Sequence, residues 1–263
     1  MRDNRTKNKL LIQDVAYGTF TLVPEPSLAE LVGAAGYDFI GIDMEHAAAD
    51  GRTIENMIRA SQSYGVTPLV RVREVDQKTI LWVLDSGAEG IILPLIEDRA
   101  SAERAVGFTR YPPLGVRTLC SATRAAGRGV YRDDFSSFVD KVNQEILIVA
   151  LIETRKGVEN IAEIADSGID VFVVGRADLS MEMGLGYAPH HPSVVEATNQ
   201  VLTTVMSKGK TAGVLAYSPD EAIKWQEFGC KFIWYSQPEI ILATHYRDTL
   251  NSLKAANREP QLK

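Results

Sequence analysis

The 263-residue chain predicts an α/β fold, a closed (β/α)8 TIM barrel formed by one domain over residues 1–263. Three observations carry this. The length matches the roughly 250 residues of one complete α/β barrel, and a hydrophobic content of 45% with 24% charged residues supports a large core. A repeated unit, in which an apolar-periodic helix stops at a glycine and a short unbroken apolar run follows, occurs four times: Gly36 before 39–42, Gly87 before 91–93, Gly168 before 171–174 and Gly229 before 232–235. Glycine suits the left-handed position that closes a helix, and an apolar run without alternation suits a strand buried on both faces. Finally, strand and helix alternate eight times with no break in composition. An open doubly wound sheet ranks second, because the first strand-to-helix turn lacks a G-x-G-x-x-G fingerprint.

In chain order, the first strand is placed at 19–23 and its helix at 28–35, closed by Gly36. The buried run 39–42 follows, then a helix at 54–64, a strand at 68–72 and a helix at 79–84 that ends before Gly87. The strand 91–93 and helix 100–109 complete the first half. The second half has strands at 146–152, 171–174, 213–216 and 232–235, with helices at 158–165, 194–206, 220–228 and 240–253. Residues 111–131 stand apart: YPPLGVRTLCSATRAAGRGVY has no sustained period and carries Arg117, Arg124 and Arg128. A segment this long is either a functional lid or a solvated connection.

A formal charge of −6 and a pI near 5.4 give no sign of the basic face that nucleic acid requires, so a small-molecule substrate fits better. Cys120 and Cys230 are far apart and lack metal-ligand spacing. They suggest neither a disulfide framework nor a zinc site, which points to the reducing cytoplasm. The opening MRDNRTKNKLLIQDV has no apolar core of signal-peptide length, and no apolar run reaches the ~20 residues of a membrane span.

In such a barrel the active site lies where strands end. The second strand runs into Asp43, Glu45 and His46, the third into Arg71 and Arg73, the fifth into Glu153, and the sixth into Asp178 with Ser180 close by. Glu153 and Asp178, from adjacent strand ends, can hold an octahedral Mg2+ or Mn2+ whose remaining positions go to water and substrate. The competing reading pairs Glu153 with a basic neighbour and makes Asp178 a helix cap. His46 is the one histidine at a strand end and is the best acid/base candidate, although a structural role fits as well. Arg71 would stabilise an enolate oxygen, or form a salt bridge with Glu45 or Asp43. At residues 174–180 a strand meets Gly175 and then a helix start, a place where backbone N–H groups can bind a carboxylate.

The segments AGYDFIGIDMEHA, PLVRV, RYPPLGVR, LIETRKGVENI, VGRADLSMEMG and GKTAGVL, in this order across almost the whole chain, resemble the HpcH/HpaI aldolases. These are metal-dependent pyruvate aldolases such as 4-hydroxy-2-oxoheptanedioate aldolase and 2-keto-3-deoxy-sugar-acid aldolases. The resemblance implies a lyase that forms or cleaves a 4-hydroxy-2-oxo acid through a pyruvate enolate, with a 2-oxo acid and an aldehyde as partners. It implies Glu153 and Asp178 as ligands of a divalent metal (Mg2+, Mn2+ or Co2+), His46 as acid/base, and Asp85 of VLDSG as its supporting carboxylate. Arg71 would stabilise the enolate, and the backbone at Gly175, Ala177 and Asp178 would hold the pyruvate carboxylate. It also implies a homohexamer, a trimer of dimers in which the last helix, 238–256, crosses to a neighbour.

The sequence departs from the family pattern around the substrate. Leu151 replaces a glutamine that reaches the 2-oxo acid, Thr118-Leu119-Cys120 replaces a glycine-rich turn, Arg176 replaces a proline, and residues 235–239 replace a Gly-Val-Asp-like turn. These changes keep two further outcomes in view: oxaloacetate decarboxylation, and a macrophomate-synthase-like condensation. A barrel that binds without turnover is disfavoured by the joint presence of Glu153, Asp178, His46 and Arg71.

Overall fold

Eight short strands of nearly unbroken apolar sequence pair in chain order and in parallel, and the last pairs with the first to close a barrel. The computed structural model describes residues 3–256. The strands are β1 (Ala16–Thr21), β2 (Phe39–Asp43), β3 (Thr67–Arg71), β4 (Gly90–Leu93), β5 (Leu147–Ile152), β6 (Val171–Val174), β7 (Thr211–Ala216) and β8 (Phe232–Tyr235). All eight sequence-derived strands are present. The largest offset is β1, which starts three residues before the expected Thr19 because Ala16, Tyr17 and Gly18 already pair with β8.

The helices are α1 (Arg5–Leu11), α2 (Pro26–Ala34), α3 (Gly51–Ser63), α4 (Gln77–Asp85), α5 (Arg99–Thr109), α6 (Phe135–Glu145), α7 (Arg155–Glu159) and α8 (Ile161–Ile164). They continue with α9 (Arg176–Glu182), α10 (Pro192–Ser207), α11 (Pro219–Phe228) and α12 (Pro238–Ala256). Several begin before their apolar period becomes visible, because a side chain caps the first turn. Asp50, Asp76 and Ser218 accept the N–H groups of Thr53, Thr79 and Glu221. The four closing glycines, Gly36, Gly87, Gly168 and Gly229, all have positive φ, between 88° and 121°.

Strand side chains alternate between two cores. One set faces the helices. The other, including Phe20, Phe39, Leu69, Val149, Val173 and Phe232, fills the barrel interior. Large and small residues interlock there. A Cβ on Gly18 would lie 2.3 Å from the Phe39 ring, and one on Gly41 would lie 2.3 Å from the Phe20 ring. Phe39 itself stacks on Phe232 with ring centroids 4.1 Å apart.

Helices α1 and α6 are additions that hydropathy does not reveal. Leu10 of α1 joins the interior cluster from below, while its polar residues bind the strand starts. Asn4 Nδ2 donates to the carbonyls of Glu89 (2.8 Å) and Glu145 (3.0 Å). Thr6 Oγ1 lies within hydrogen-bond distance of Asp38 O (3.1 Å) and Thr67 Oγ1 (2.8 Å), and Lys7 Nζ donates to Ile146 O and Asp170 Oδ2.

The lid reading of residues 111–131 does not hold within the chain. The segment follows a helix and leads through α6 into β5, so it starts at the base of the barrel rather than its mouth. It lies along α3 and α4, where Arg117 binds Asp85, Arg124 binds Ser86 O and Gln62, and Arg128 reaches Glu55. Among the described residues no helix is long and apolar enough to cross a membrane.

Candidate active site

The charged side chains gather at the C-terminal ends of β2, β3, β5 and β6. Asp43 and Arg71 occupy paired positions on adjacent strands, so their side chains enter the mouth together. Arg71 Nε donates to Asp43 Oδ1 at 3.0 Å and its Nη2 to Oδ2 at 2.7 Å, a two-pronged pairing between buried groups. Glu45 Oε2 lies 3.2 Å from Arg71 Nη1. The guanidinium also sits over the Phe20 ring, 4.7 Å from its centroid. Burial alone would lower the Arg71 pKa, but Asp43, Glu45 and Glu153 more than offset it, so the group stays charged. The salt-bridge reading of Arg71 thus holds, with both Asp43 and Glu45 as partners.

Asp43 also organises the chain beyond β2. Its Oδ1 accepts from Glu45 N at 2.8 Å and its Oδ2 from His46 N at 3.3 Å. This turn leaves the His46 side chain exposed at the mouth. Arg73 Nε is committed to Met44 O.

Glu153 follows directly after β5 and is 6% exposed. Its carboxyl pKa is raised from 4.5 to about 7. Burial is the main cause; a backbone bond from Leu95 works the other way, Asp178 and Glu45 raise it further, and Arg71 lowers it. Leu95 N donates to Glu153 Oε1 at 2.9 Å from a residue held at φ 52°. A left-handed leucine costs about 1 kcal/mol or more, so the β4–α5 turn is strained at the point where it fixes this carboxylate.

Gly175 stands beside Glu153, because its N–H bonds to Ile152 O. A Cβ at Gly175 would lie 2.7 Å from both Glu153 Cβ and Oε2. Only glycine leaves the carboxylate its place. Gly175 caps α9, so Ala177 and Asp178 lie in the first turn, where N–H groups lack intrahelical acceptors. Asp178 is exposed and close enough for its charge to act on Glu153. Leu151, one inward position below Glu153, belongs to the apolar interior. Ser180 is buried and donates to Ala177 O, bracing the helix.

Arg176 turns away from the mouth. Its Nη2 donates to Leu215 O and Glu221 Oε1, both at 2.6 Å, and the guanidinium lies 5.5 Å from the Trp225 ring centroid. It ties the β6–α9 corner to the β7–α11 corner. The barrel does not bring Asp85 to its own mouth. It is the last residue of α4, at the opposite end, where it accepts from Arg117 Nη2 at 2.8 Å. Sequence reasoning did not identify Leu95 or Phe20 as part of the site. A positive φ and a ring under a guanidinium leave no local signature.

A hard divalent ion fits this donor set. Two carboxylates follow neighbouring strands, and the charge of Asp178 acts on Glu153, whose pKa is raised chiefly by burial. Among the described residues no three of His, Cys, Asp and Glu form a ligand group, so the other positions would go to water and substrate oxygens.

The model of the HpcH/HpaI aldolase/citrate lyase family matches residues 16–231. A hydroxypyruvate/pyruvate aldolase of Pseudomonas aeruginosa is 30% identical over 98% of this chain and 95% of its own length. A 4-hydroxy-2-oxo-heptane-1,7-dioate aldolase of Salmonella dublin is 34% identical over 82% of this chain and 81% of its own. Among solved structures, an HpcH/HpaI aldolase/citrate lyase family protein from Burkholderia cenocepacia superposes with a TM-score of 0.90 at 30% identity, covering 95% of this chain and 99% of that one. With its closed eight-stranded barrel and the charged mouth described above, this chain belongs to the HpcH/HpaI aldolase/citrate lyase family.

Proposed function

We propose that the chain is a divalent-metal-dependent lyase that forms or cleaves a 4-hydroxy-2-oxo acid through the enolate of pyruvate. The observation that carries this is the buried Glu153 carboxylate, held in place by the strained Leu95 N–H and by the missing Cβ of Gly175, beside an arginine that is kept charged. Glu153 and Asp178 would hold Mg2+, Mn2+ or Co2+. When bound, such an ion polarises a 2-oxo acid and steadies the negative charge that develops on it.

The remaining work falls to the chain itself. Arg71, fixed by Asp43, faces the keto oxygen and stabilises its growing charge. The N–H groups of Ala177 and Asp178 hold the substrate carboxylate, and Leu151 packs beside it. His46, exposed at the mouth, takes the methyl proton or returns one to the aldehyde oxygen. Asp85 lies at the far end of the same barrel, so a supporting role for it requires a second copy of the chain, with the carboxylate of one copy reaching the His46 of another.

Assembly also has support. In α12 only Pro238 is buried, and Ile240, Ile241, Leu242, Leu250 and Leu253 are exposed. An apolar groove of about 460 Å3, lined by Tyr17, Tyr37, Ile223, Ile233 and Tyr235, runs between α2 and α11 where a helix after β8 would pack. We propose that α12 of a second copy fills it, within the trimer of dimers that the family resemblance implies. The two unpaired cysteines agree with a cytoplasmic location.

The test is exchange of pyruvate methyl protons with deuterium in the presence of Mg2+ or Mn2+. Glu153→Ala and Asp178→Ala should abolish exchange while unfolding stays cooperative; unchanged exchange refutes the metal assignment. Mixing His46→Ala with Asp85→Ala subunits should restore part of the activity that each lacks alone. Release of CO2 from oxaloacetate, with no product from any aldehyde, would assign a decarboxylase instead.

A further inference from the structure

The mouth has two unlike halves. From β2 round to β6 it carries Asp43, Glu45, Arg71, Glu153 and Asp178. Across β7, β8 and β1, the upper inward positions are Leu215, Trp234, Phe20 and Leu22, which pack with Leu151 as one apolar cluster. The charged residues nearest this arc are turned to other work. Glu239 accepts from Leu22 N at 2.7 Å and Thr21 Oγ1 at 3.2 Å, and Arg176 is held by Leu215 O and Glu221.

Register places Trp234 beside Leu215 on one side and Gly18 on the other, one step below the mouth. Its ring lies 4.3 Å from that of Phe20, which in turn carries the Arg71 guanidinium. The aromatic pair therefore runs from the charged half into the apolar half. Trp234 is 5% exposed, and its indole N–H has no acceptor among the described residues.

Resting on the aldol reading above, we infer that the aldehyde used by this chain has an apolar tail, aliphatic or aromatic. The dioate cleaved by the Salmonella relative would yield, beside pyruvate, a four-carbon aldehyde ending in a carboxylate. Against Leu215, Trp234, Phe20 and Leu22 that carboxylate would lose its water and gain no partner, whereas an alkyl or aryl tail is driven onto the same wall. The bond that forms joins the pyruvate methyl carbon, which gives up one proton, to the aldehyde carbon, whose oxygen takes one up. No oxidant or reductant is needed.

The test uses the full chain with Mn2+ and pyruvate, comparing butanal, benzaldehyde and 4-oxobutanoate. Butanal and benzaldehyde should exceed 4-oxobutanoate in kcat/KM by at least about tenfold, a difference within reach of pocket contacts of this kind. An equal or reversed ratio overturns the inference. Leu215→Arg should move the ratio toward 4-oxobutanoate, and no movement counts against the apolar wall. Deuterium exchange into pyruvate, read on the same samples without aldehyde, separates the two levels. Exchange with the wrong aldehyde ratio sinks this inference alone, and absent exchange sinks the aldol reading together with it.

Discussion

Replacing Glu153 with Gln in metal-free protein removes a charge that its surroundings disfavour, while the Gln carbonyl can still accept from Leu95 N. The wild-type carboxyl titrates at about 7 in the folded chain against 4.5 as a free side chain. Below pH 4.5 it is protonated in both folded and unfolded chains and contributes no difference. Between 4.5 and about 7 the unfolded chain gives up the proton and the folded chain keeps it, so stability falls as pH rises. Above that range both are ionised and the full penalty applies. At about 1.4 kcal/mol per pH unit, the gap between 4.5 and about 7 amounts to about 3 kcal/mol.

Glu153→Gln should therefore match wild type near pH 4.5 and be more stable by about 3 kcal/mol at pH 8. The assay is urea unfolding across this range with a chelator present. Mn2+ at a hundred times its Kd should then add about 2.7 kcal/mol to wild type and nothing to the variant. A stability difference that stays flat from pH 5 to 8 would refute the argument that burial and like charge strain this carboxylate. So would a variant that gains as much from Mn2+ as wild type.

Gly175→Ala should weaken Mn2+ binding by about tenfold or more, read by calorimetric titration. The backbone at Gly175 has an ordinary φ of −80°, so the effect would come from crowding Glu153 alone, and unchanged affinity would count against it. Arg71→Ala leaves Asp43 buried without its partner and should cost about 3–5 kcal/mol of stability and about 100- to 1,000-fold in kcat. Arg71→Lys, which keeps the charge and loses the fork, should fall between, as denaturant midpoints and steady-state rates will show. If α12 holds the proposed assembly together, ending the chain before Pro238 should give smaller species than the intact chain in sedimentation velocity, and an unchanged mass would remove α12 from that proposal.

The strands were legible because β2, β4, β5 and β6 are buried at every position, which forces unbroken apolar runs. Helix α1 was not, because it binds the strand starts through Asn4, Thr6, Lys7 and Lys9, and hydropathy registers none of these as core. At the site, Asp43, Glu45, Arg71, Glu153 and Asp178 could be listed from their positions just past apolar runs. Their arrangement could not. The space that Gly175 leaves for Glu153, and the N–H that Leu95 offers it, are contacts between different strand ends. Asp85, which the resemblance implies as the supporting carboxylate of His46, is carried by α4 to the opposite end of its own barrel, a placement that no local pattern shows.

The base of the barrel has a consequence for how the chain matures. The backbone N–H of Asn4 binds the carboxylate of Glu145, 141 positions later, and Lys7 waits for Asp170. During synthesis the opening helix can meet Asp38, Thr67 and Glu89 early, but it lacks its last anchors until Glu145 and Asp170 have been made. The seal at the bottom is a late event that staples the first residues to the fifth and sixth staves. A bulky fusion placed ahead of Asn4 would load this fastening, and the damage would register as faulty closure of the hoop while the chemistry at the other end stayed intact.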